Sequence, residues 1–543
     1  MPDSPQRAVS PVAHGSSLAM KAKSNRGVLQ PVTVPQPVTE RASFLVDRAD
    51  LPGLRGAVSK LANAGYSETV VTERLGLQDL ADLEWRSVPI YRSERLAGRD
   101  PLALAIDLFL LQGDLPNDEL ERLFSRSESD LLVRAGLLAI DEMGLARARA
   151  SLFPVGDRLI FSDHDWPSLP HPGYTTVPTD QVMGIGRDSR LLARCTSRRT
   201  FRSTLDLCTG SGIHALLASA HAQQGLAVDI SPRAARCARF NAQASGATNV
   251  DVAVGDLFDA ARGESFDLIT ANPPFVPSPL DSLRFRDGGR SGEDVQKRIV
   301  AGLPHHLAPG GMAQIVTELG ERDDEPLAHR LRDWLEGAPM DIHILRLGEY
   351  SAAKYAIGHA KGDDYQAFLD STRQWADNLR AQGYIRVVSL VISFQWSDLT
   401  CGPPWEHLDE SPPPRRAAGA EIDAAFLAER FTRRRDLPQA LAQSCLRRAG
   451  PVALLDARVL GSDMPRRAKA TLLRQALTIE HHLDPLEREI LDRMEGRIPM
   501  PHLIGLFRDL LVDEPTIIAA TRSLLRRQLV RIDGQLADSA ARL

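Results

Sequence analysis

The sequence predicts a doubly wound α/β domain with a mainly parallel sheet, flanked by two mainly helical domains. Short apolar strands alternate with helical stretches between residues 171 and 400. This alternation is typical of a parallel sheet that is covered by helices on both faces. Outside that region the apolar residues follow helical spacing, and a chain of 543 residues is too long for one hydrophobic core.

Six short apolar segments are the expected strands of the α/β domain. They read "TLDLCTG", "GLAVDIS", "VDVAVGD", "FDLITANP", "MAQIVTEL" and "DIHILRL", and helical stretches separate most of them. A last strand, "IRVVSLVISF" at 385–394, follows a helical insertion at about 350–382. The carboxyl ends of such strands form the edge at which open α/β sheets bind ligands.

Changes in composition and periodicity divide the chain into five expected segments. Residues 1–40 are rich in Pro, Ser, Val and Gln and predict a disordered tail, with a transit peptide as the alternative. The other segments are a helical, winged-helix-like domain (41–170), the α/β domain (171–400), a proline-rich linker (401–420) and a second helical, winged-helix-like domain (421–543). The first helical domain is interpreted as either a scaffold or lid or a substrate-docking module.

The amino-acid composition is that of a globular protein. Hydrophobic residues make up 43% and charged residues 25% of the chain, and 65 Lys and Arg against 70 Asp and Glu give a net charge of −5. A strongly basic nucleic-acid-binding protein is disfavoured, although local basic patches remain compatible with this balance. No apolar run of about 18 residues is present, so we expect no membrane span and a cytoplasmic location.

The cysteine and histidine patterns predict neither disulfides nor a metal site. The five cysteines are scattered without a Cys-x-x-Cys pair, which is typical of reduced thiols. Six further residues show no metal-ligand spacing and are interpreted as structural or solvated: His214, His305, His306, Glu318, His481 and His482.

A glycine-rich turn follows the first predicted strand. In "LDLCTGSGIHALL" the glycines Gly210 and Gly212 allow the backbone to approach a ligand, and the helix that follows offers unpaired N–H groups. Ala215 stands where a dinucleotide fingerprint has its third glycine. Asp206, four residues before Gly210, would repel a pyrophosphate and favour a cation.

Two more carboxylates follow the next two strands. Asp229 is positioned to accept hydrogen bonds from both ribose hydroxyls. Asp256 could accept from the exocyclic amine of adenine, with Leu257 beside the ring. Each residue taken alone could be an ordinary turn or capping residue. Together they suit an adenosine-bearing ligand with a positive charge and no pyrophosphate, and S-adenosylmethionine fits that description.

The fourth strand ends in the unusual stretch "ITANPPFVPSP". A plain end of a strand needs a single Pro or Gly, whereas Asn272 is followed by Pro273, Pro274 and Phe275. Asn272 could be a turn residue bonding its own backbone, and Phe275 could be core packing. Beside the upstream carboxylates, the stretch instead predicts a rigid loop that holds a reacting group.

These motifs resemble class I S-adenosylmethionine-dependent methyltransferases, and among them the HemK-like group that methylates amide or amino nitrogens. "DLCTGSG" resembles their cofactor motif, and "NPPFVPSP" resembles their Asn-Pro-Pro-aromatic motif, with Phe275 replacing the usual Tyr. The segment "RDGGRSGEDVQKRIVAGLPHHLAPGGMAQIVTELG" resembles the part that follows. The resemblance covers about 175–395 and implies a Rossmann-like, seven-stranded sheet whose last strand is antiparallel.

The resemblance also implies a role for each motif residue. The Asn272 side-chain oxygen and the Pro273 carbonyl would accept the two N–H hydrogens of the acceptor amine, while Phe275 would pack flat on a planar amide or base. No strong base would be needed, because the nitrogen becomes acidic once it has attacked. Catalytic residues would be Asn272, Pro273, Pro274 and Phe275, and cofactor-binding residues Asp206, Cys208, Thr209, Gly210, Ser211, Gly212, Asp229, Ile230, Asp256, Leu257 and Asn272.

The methyl acceptor stays open among several classes. A protein glutamine is the expected acceptor, and adenine N6 or guanine N2 of a nucleic acid is the main alternative. A small metabolite would be a third class, and a non-enzymatic adaptor with a cofactor fold a fourth interpretation. The flanks resemble a bacterial, largely actinobacterial group of HemK-like methyltransferases, in which a segment like "DQVMGIGRDSRLLA" (Asp180 to Ala193) would lie over the cofactor pocket.

Overall fold

The structure is a computed structural model that describes residues 41–164, 178–280, 283–457, 467–473, 475–508 and 510–533. The expected tail at 1–40 lies outside the described residues. All described residues belong to one unit, Pro37–Leu543. Within them, no helix has the length and apolar character that a membrane crossing requires.

The described part of the N-terminal region combines six α-helices with short antiparallel strands, of which β1 precedes the last two helices. Its helices are α1 (Leu51–Asn63), α2 (Glu68–Leu75), α3 (Val88–Ile90), α4 (Pro101–Ala105), α5 (Asn117–Leu123) and α6 (Arg126–Arg134). Its strands are β1 (Asp114–Pro116), β2 (Leu138–Ile140), β3 (Leu145–Ala148), β4 (Ser151–Val155) and β5 (Arg158–Ser162). The first three form a sheet in the order β1-β3-β2, and β4 pairs with β5 as a hairpin. This region therefore combines helices with a small sheet, and its assignment as a winged-helix-like domain stays a prediction.

The central region alternates strands and helices, as the sequence predicts. Its strands are β6 (Phe201–Leu207), β7 (Ala222–Asp229), β8 (Val250–Val254), β9 (Phe266–Ala271), β10 (Leu307–Glu321), β11 (Met340–Ser351), β12 (Arg386–Trp396) and β13 (Glu406–Glu410). Its helices are α7 (Arg187–Cys195), α8 (Ile213–Ala218), α9 (Pro232–Ser245), α10 (Asp294–His306), α11 (Leu327–Trp334), α12 (Ala352–His359) and α13 (Tyr365–Ala381).

These strands form one sheet in the order β13-β11-β12-β10-β9-β6-β7-β8. β12 is antiparallel to both of its neighbours, and the other pairs are parallel. The α/β class and the antiparallel last strand of a seven-stranded core are therefore confirmed. Because β6 lies between β7 and β9, the carboxyl ends of these three strands meet near the point where the strand order reverses.

The expected linker at 401–420 differs from the structure, because β13 extends the sheet to eight strands. β13 pairs in parallel with β11, and Trp405, Asp409 and Ala418 are buried. The sequence of β13, "EHLDE", is short and charged, as exposed edge strands often are. Its lack of apolar alternation explains why it resembles a linker.

The N-terminal region packs against the helices that cover one face of this sheet. Phe240 of α9 contacts Phe44 and Phe161, with ring centroids 6.0 and 5.6 Å apart. One hydrophobic core contains these rings together with Cys237 and buried residues of α1. The first helical region and the helix that follows β7 are therefore a single packing unit.

The described residues of the C-terminal region form five helices and two small sheets. Its helices are α14 (Gly419–Thr432), α15 (Leu437–Ala442), α16 (Pro485–Arg493), α17 (Met500–Arg508) and α18 (Glu514–Arg526). Its strands are β14 (Cys445–Arg448), β15 (Val452–Ala457), β16 (Arg467–Leu472), β17 (Glu480–Leu483), β18 (Ile498–Pro499) and β19 (Val530–Ile532), in the orders β18-β14-β19 and β15-β16-β17. It joins the sheet through Phe426, whose ring lies 5.1 Å from that of Trp405.

Candidate functional site

A cavity of about 550 Å³ opens at the carboxyl ends of β6, β7 and β9. Its size lies within the range of roughly 300–1,000 Å³ that is usual for small-molecule sites. Ten of the residues predicted from the sequence line it: Cys208, Thr209, Gly210, Ser211, Asp229, Ile230, Asp256, Leu257, Asn272 and Pro274. Four of the predicted residues, Asp206, Gly212, Pro273 and Phe275, lie outside its lining.

The glycine turn has the backbone conformation that its sequence requires. Gly210 and Gly212 have φ angles of 55° and 85°, in the left-handed region that favours glycine. A Cβ on Gly212 would lie 3.0 Å from the Cβ and 3.1 Å from the Cα of Ala238 on α9. Gly212 therefore permits the close approach of α8 to α9 beneath the cavity.

Asp206 lies under this turn and is only 2% exposed. Its carboxylate accepts hydrogen bonds from the Thr209 hydroxyl at 2.5 Å, the Thr270 hydroxyl at 2.8 Å and the Ala215 amide at 3.3 Å. Burial raises the pKa of Asp206 to about 6. The sequence predicted contact with a cofactor cation, but in the structure this carboxylate holds the glycine turn in shape, because its oxygens are bonded within the protein.

Asp229 ends β7 on the cavity wall. Its two oxygens accept backbone N–H groups, from Gly210 at 2.9 Å and from Ser231 at 2.8 Å. Burial raises the pKa of this carboxyl group. Each oxygen has capacity for a further hydrogen bond. α9 begins immediately afterwards, with Ser231 as its N-cap and Pro232 at its first position, which fixes the end of the strand.

Asp256 lies on the same wall and forms an ion pair with Arg298 of α10 at 2.7 Å. The pair raises the pKa of the Arg298 guanidinium. Arg298 could not be predicted as a partner of Asp256, because 42 residues separate the two in the chain. Any amine that Asp256 binds must therefore share its carboxylate with this cation. Leu257, with a φ angle of 51°, turns the chain at this point.

Asn272 directly follows β9. Its side-chain nitrogen donates to the Ser189 hydroxyl of α7 at 3.2 Å. Among the described residues no group donates to its side-chain oxygen. Ser189 is 3% exposed, so the bond is shielded from water. The sequence did not point to Ser189, which lies 83 residues earlier in the chain.

Phe275 lies away from this cavity. Its ring is 8% exposed and packs in a cluster with aromatic residues of the helical insertion and its flanks, Tyr355, Trp375 and Tyr384. We expected the Phe275 ring to stack flat on the acceptor. Its position in this cluster does not support that role. Tyr355 and Trp375 belong to α12 and α13, which the motif itself gives no means of foreseeing.

The glycine-rich segment at 286–292 is hydrogen-bonded through its backbone to the Asn-Pro-Pro-Phe loop. Val276 exchanges backbone hydrogen bonds with Arg286 and Gly288, each at 3.0 Å. A Cβ on Gly288 would lie 2.7 Å from the Pro274 carbonyl oxygen. Glycine is therefore needed where the two backbones meet, and the loop is held along its length.

A lid segment that begins at Thr179 covers the opposite side of the cavity. The Val182 amide donates to Asp163 at 2.9 Å, and Asp163 also forms ion pairs with Arg233 of α9 and with Arg41. Gln181 lines the cavity, and its buried side-chain oxygen has no hydrogen-bond partner among the described residues.

The residues of the cavity fit S-adenosylmethionine. The unpartnered Gln181 oxygen and the Asp229 carboxylate offer acceptors to a ligand with amine and hydroxyl groups. In the described part of the chain, no group of three or more His, Cys, Asp or Glu could hold a metal ion.

Comparison with known proteins agrees with this site. The Methyltransferase small domain family matches residues 183–332, and a domain of unknown function, DUF7059, matches residues 63–150. The release factor glutamine methyltransferase of Rhodospirillum rubrum is 40% identical over 134 residues, which cover 22% of this chain and 41% of that protein. The chain thus spans less than half the length of this relative.

Two further relatives carry related names. A ribosomal protein uL3 glutamine methyltransferase of Bradyrhizobium diazoefficiens is 38% identical over 149 residues, which cover 24% of this chain and 46% of that protein. A protein of Methanocaldococcus jannaschii, named as a candidate protein N5-glutamine methyltransferase, is 32% identical over 143 residues, which cover 25% of this chain and 72% of that protein.

The strand order, the glycine turn and the family match together define a class I S-adenosylmethionine-dependent methyltransferase domain. The match to the M. jannaschii protein extends over most of that relative's length. Within the class, the chain belongs to the HemK-like group.

Proposed function

We propose that the protein transfers the methyl group of S-adenosylmethionine to the side-chain nitrogen of a protein glutamine. The Asn272 amide carries this proposal. Its side-chain nitrogen donates a hydrogen bond to the Ser189 hydroxyl, while its side-chain oxygen accepts no hydrogen bond from the described residues. An amide oxygen on the wall of the cavity is a suitable acceptor for the N–H group of a second amide.

The cavity residues would hold the cofactor, which supplies a methyl group on a positively charged sulfur when it is bound. Asp229 would accept the ribose hydroxyls, since both of its oxygens are already oriented by backbone amides. Asp256 and Leu257 would contact the adenine, and the turn from Cys208 to Gly212 would approach the amino-acid part. Gln181 would accept a hydrogen bond from an amine of the cofactor.

The Asn-Pro-Pro loop would orient the acceptor nitrogen. The lone pair of an amide nitrogen is delocalised into its carbonyl, so it attacks only when it is aimed at the methyl group. The Asn272 oxygen and the Pro273 carbonyl would accept its two N–H hydrogens, which fixes the nitrogen and favours the positive charge that grows on it. Pro273 and Pro274 restrict the backbone. Phe275 would stiffen the loop from the aromatic cluster behind it.

Glutamine is favoured as the acceptor because the relatives named above are glutamine methyltransferases of a release factor and of ribosomal protein uL3. The net charge of −5 does not favour a nucleic-acid acceptor. A nucleic-acid or metabolite acceptor would be detected by the labelling experiment described next.

The test is methyl transfer from methyl-labelled S-adenosylmethionine. The full chain is incubated with recombinant bacterial release factor, with ribosomal protein uL3 and with a fractionated lysate. We expect the label in protein, on a glutamine nitrogen identified by mass spectrometry. Label in nucleic acid or in small molecules would overturn the glutamine proposal.

Asn272→Ala tests the residue that carries the proposal. This variant should bind S-adenosylmethionine with nearly unchanged affinity and lose most of its transfer rate. Asn117→Ala is the matched control, because Asn117 is exposed on the N-terminal region and far from the cavity lining. An Asn272→Ala enzyme with the wild-type transfer rate would contradict the proposal.

A further inference from the structure

The first turn of α7 crosses the carboxyl ends of β9 and β10. Ser189 of this turn bonds Asn272, and Asp188 is the residue before it. In the paired strands Thr270 lies beside Gln314, and alternate residues of a strand point to the same face. Asn272, directly after β9, and Glu318, near the end of β10, therefore lie on the face that α7 covers.

Glu318 is held in this position by a hydroxyl group. The Tyr355 hydroxyl of α12 donates to Glu318 Oε2 at 2.7 Å, and Tyr355 is 3% exposed. Burial, together with the nearby charge of Asp188, raises the pKa of Glu318 to about 7. Burial raises the pKa of Asp188 to about 6. The two carboxyl groups are thus close enough for the charge of Asp188 to act on Glu318, on the face of the sheet where Asn272 lies.

Few charged groups besides each other act on the carboxyl groups of Asp188 and Glu318, which are called the carboxyl pair below. No ion pair joins Asp188 or Glu318 to a cation within the described residues. The Arg187 charge acts on both carboxyl groups, but its closest polar contact is the Tyr350 hydroxyl at 3.5 Å. The other titratable or charged groups around Glu318 and Tyr355 are Tyr350 on β11, Lys354 and His359 on α12, and Arg286 and Asp287 in the 286–292 segment.

These neighbours do not remove the negative charge of the pair. His359 stacks on Tyr355 at 4.2 Å, and burial lowers its pKa, so it is neutral near pH 7. Burial and the Glu318 charge raise the pKa of Tyr355, so its hydroxyl stays protonated. Lys354 lies over the Tyr350 ring, 5.6 Å from its centroid. A buried carboxylate without a paired cation favours the approach of positive charge or of a proton.

We propose that Glu318, with Asp188 beside it, accepts the proton that the acceptor nitrogen loses on methylation. This inference rests on the function proposed above. The acceptor nitrogen forms a bond to the methyl carbon while the bond from that carbon to sulfur breaks, and the sulfur keeps the electron pair. The nitrogen then carries a positive charge, and its N–H proton passes to a carboxylate oxygen of Glu318.

A carboxylate is a sufficient base for this step, because a methylated amide nitrogen with a positive charge is strongly acidic. Asp188 and Tyr355 have opposite effects on the proton affinity of Glu318. The charge of Asp188 raises the pKa of Glu318, and the hydrogen bond from Tyr355 lowers it. Replacing each neighbour should therefore shift the pKa of Glu318 in opposite directions. If Glu318 accepts the proton, the pH profile of the transfer rate should shift with that pKa, which a purely structural role would not produce.

The first experiment reads the proton affinity of Glu318 in the unliganded full chain. Carboxyl ¹³C NMR of glutamate-labelled protein is recorded across pH, and the Glu318 signal is the one that Glu318→Gln removes. It should titrate near pH 7 in the wild type, at lower pH in Asp188→Asn and at higher pH in Tyr355→Phe. A Glu318 signal that titrates like an ordinary glutamate would overturn the proposal, and so would identical titrations in all three proteins.

The second experiment measures methyl transfer to recombinant release factor across pH. Below the pKa of Glu318 the carboxyl group is protonated and cannot accept a proton, so the wild-type rate should fall as pH decreases through about 7. Glu318→Gln should lose rate on the order of 10²-fold at pH 8 and lack this fall. The fall should lie at lower pH in Asp188→Asn and at higher pH in Tyr355→Phe.

The controls separate this role from folding and from the glutamine proposal. Glu264→Gln, at an exposed glutamate away from the cavity lining, should keep the wild-type profile. A Glu318→Gln enzyme with the wild-type rate and pH profile would overturn the proposal. The NMR titration is read without an acceptor, so it measures the proton affinity of Glu318 even where the acceptor is not a glutamine.

Discussion

Ser189→Ala is the sharpest test of how the Asn272 amide is oriented. The change removes the hydroxyl that accepts the Asn272 side-chain N–H at 3.2 Å. It leaves a methyl group in the same 3%-exposed position, so it opens little space. The amide of Asn272 then has no anchor among the described residues and can rotate its oxygen away from the acceptor.

The size of the effect follows from the bond that is lost. A neutral hydrogen bond contributes a net of about 0.5–1.5 kcal/mol. If this energy is needed only in the reacting geometry, its loss lowers the transfer rate by roughly 2- to 12-fold. Cofactor affinity should hardly change, since none of the cofactor contacts proposed above involves Ser189.

The assay combines calorimetry for S-adenosylmethionine binding with the transfer rate to recombinant release factor. Ser245→Ala is the matched control, because the Ser245 hydroxyl bonds only the backbone of its own helix. A Ser189→Ala enzyme with an unchanged rate would refute the argument that Ser189 orients Asn272. A loss of cofactor affinity equal to the loss of rate would also refute it, since the defect would then lie in binding.

Three further predictions concern the cofactor side of the cavity. Asp229→Ala should weaken S-adenosylmethionine binding in calorimetry, because both ribose hydroxyls lose their acceptor; unchanged affinity would exclude the ribose role. Gly212→Ala should lower the melting temperature, because a Cβ there meets Ala238 at 3.0 Å and the φ angle is 85°; strain of this kind costs about 1–2 kcal/mol before any clash. Asp163→Asn should destabilise the chain by about 3–5 kcal/mol, because Arg233 loses its buried ionic partner; an unfolding curve that matches the wild type would show that other groups compensate.

The positions of Asp229, Asp256 and Asn272 could be predicted because each lies at the end of a strand or within two residues of it. Strand ends can be read from local hydrophobic patterns, and the ends of parallel strands meet at one edge. The direction of the Asp206 side chain was not predictable in the same way. Its hydrogen-bond donors include Thr270, which is 64 residues away and becomes a neighbour only when β6 pairs with β9.

The acceptor side of the site was the least accessible to sequence reasoning. Glu318 showed no metal spacing and was interpreted as structural or solvated. Its neighbours Asp188 and Tyr355 come from two helices on either side of it in the chain. Phe275 likewise looked like a stacking residue, because the motif does not reveal that α12 and α13 bring an aromatic cluster to its ring. Such contacts depend on tertiary packing alone.

The Asp163 ion pairs have a consequence for how this chain could be shortened. Asp163 belongs to the N-terminal region, yet it bonds α9 through Arg233 and the cavity lid through Val182. A fragment cut down to the α/β region would expose the Phe240 ring and leave Arg233 without its counter-ion. The N-terminal region thus supports the cavity from outside its lining, because it holds α9 and the lid segment in place, and removing it should weaken the pocket.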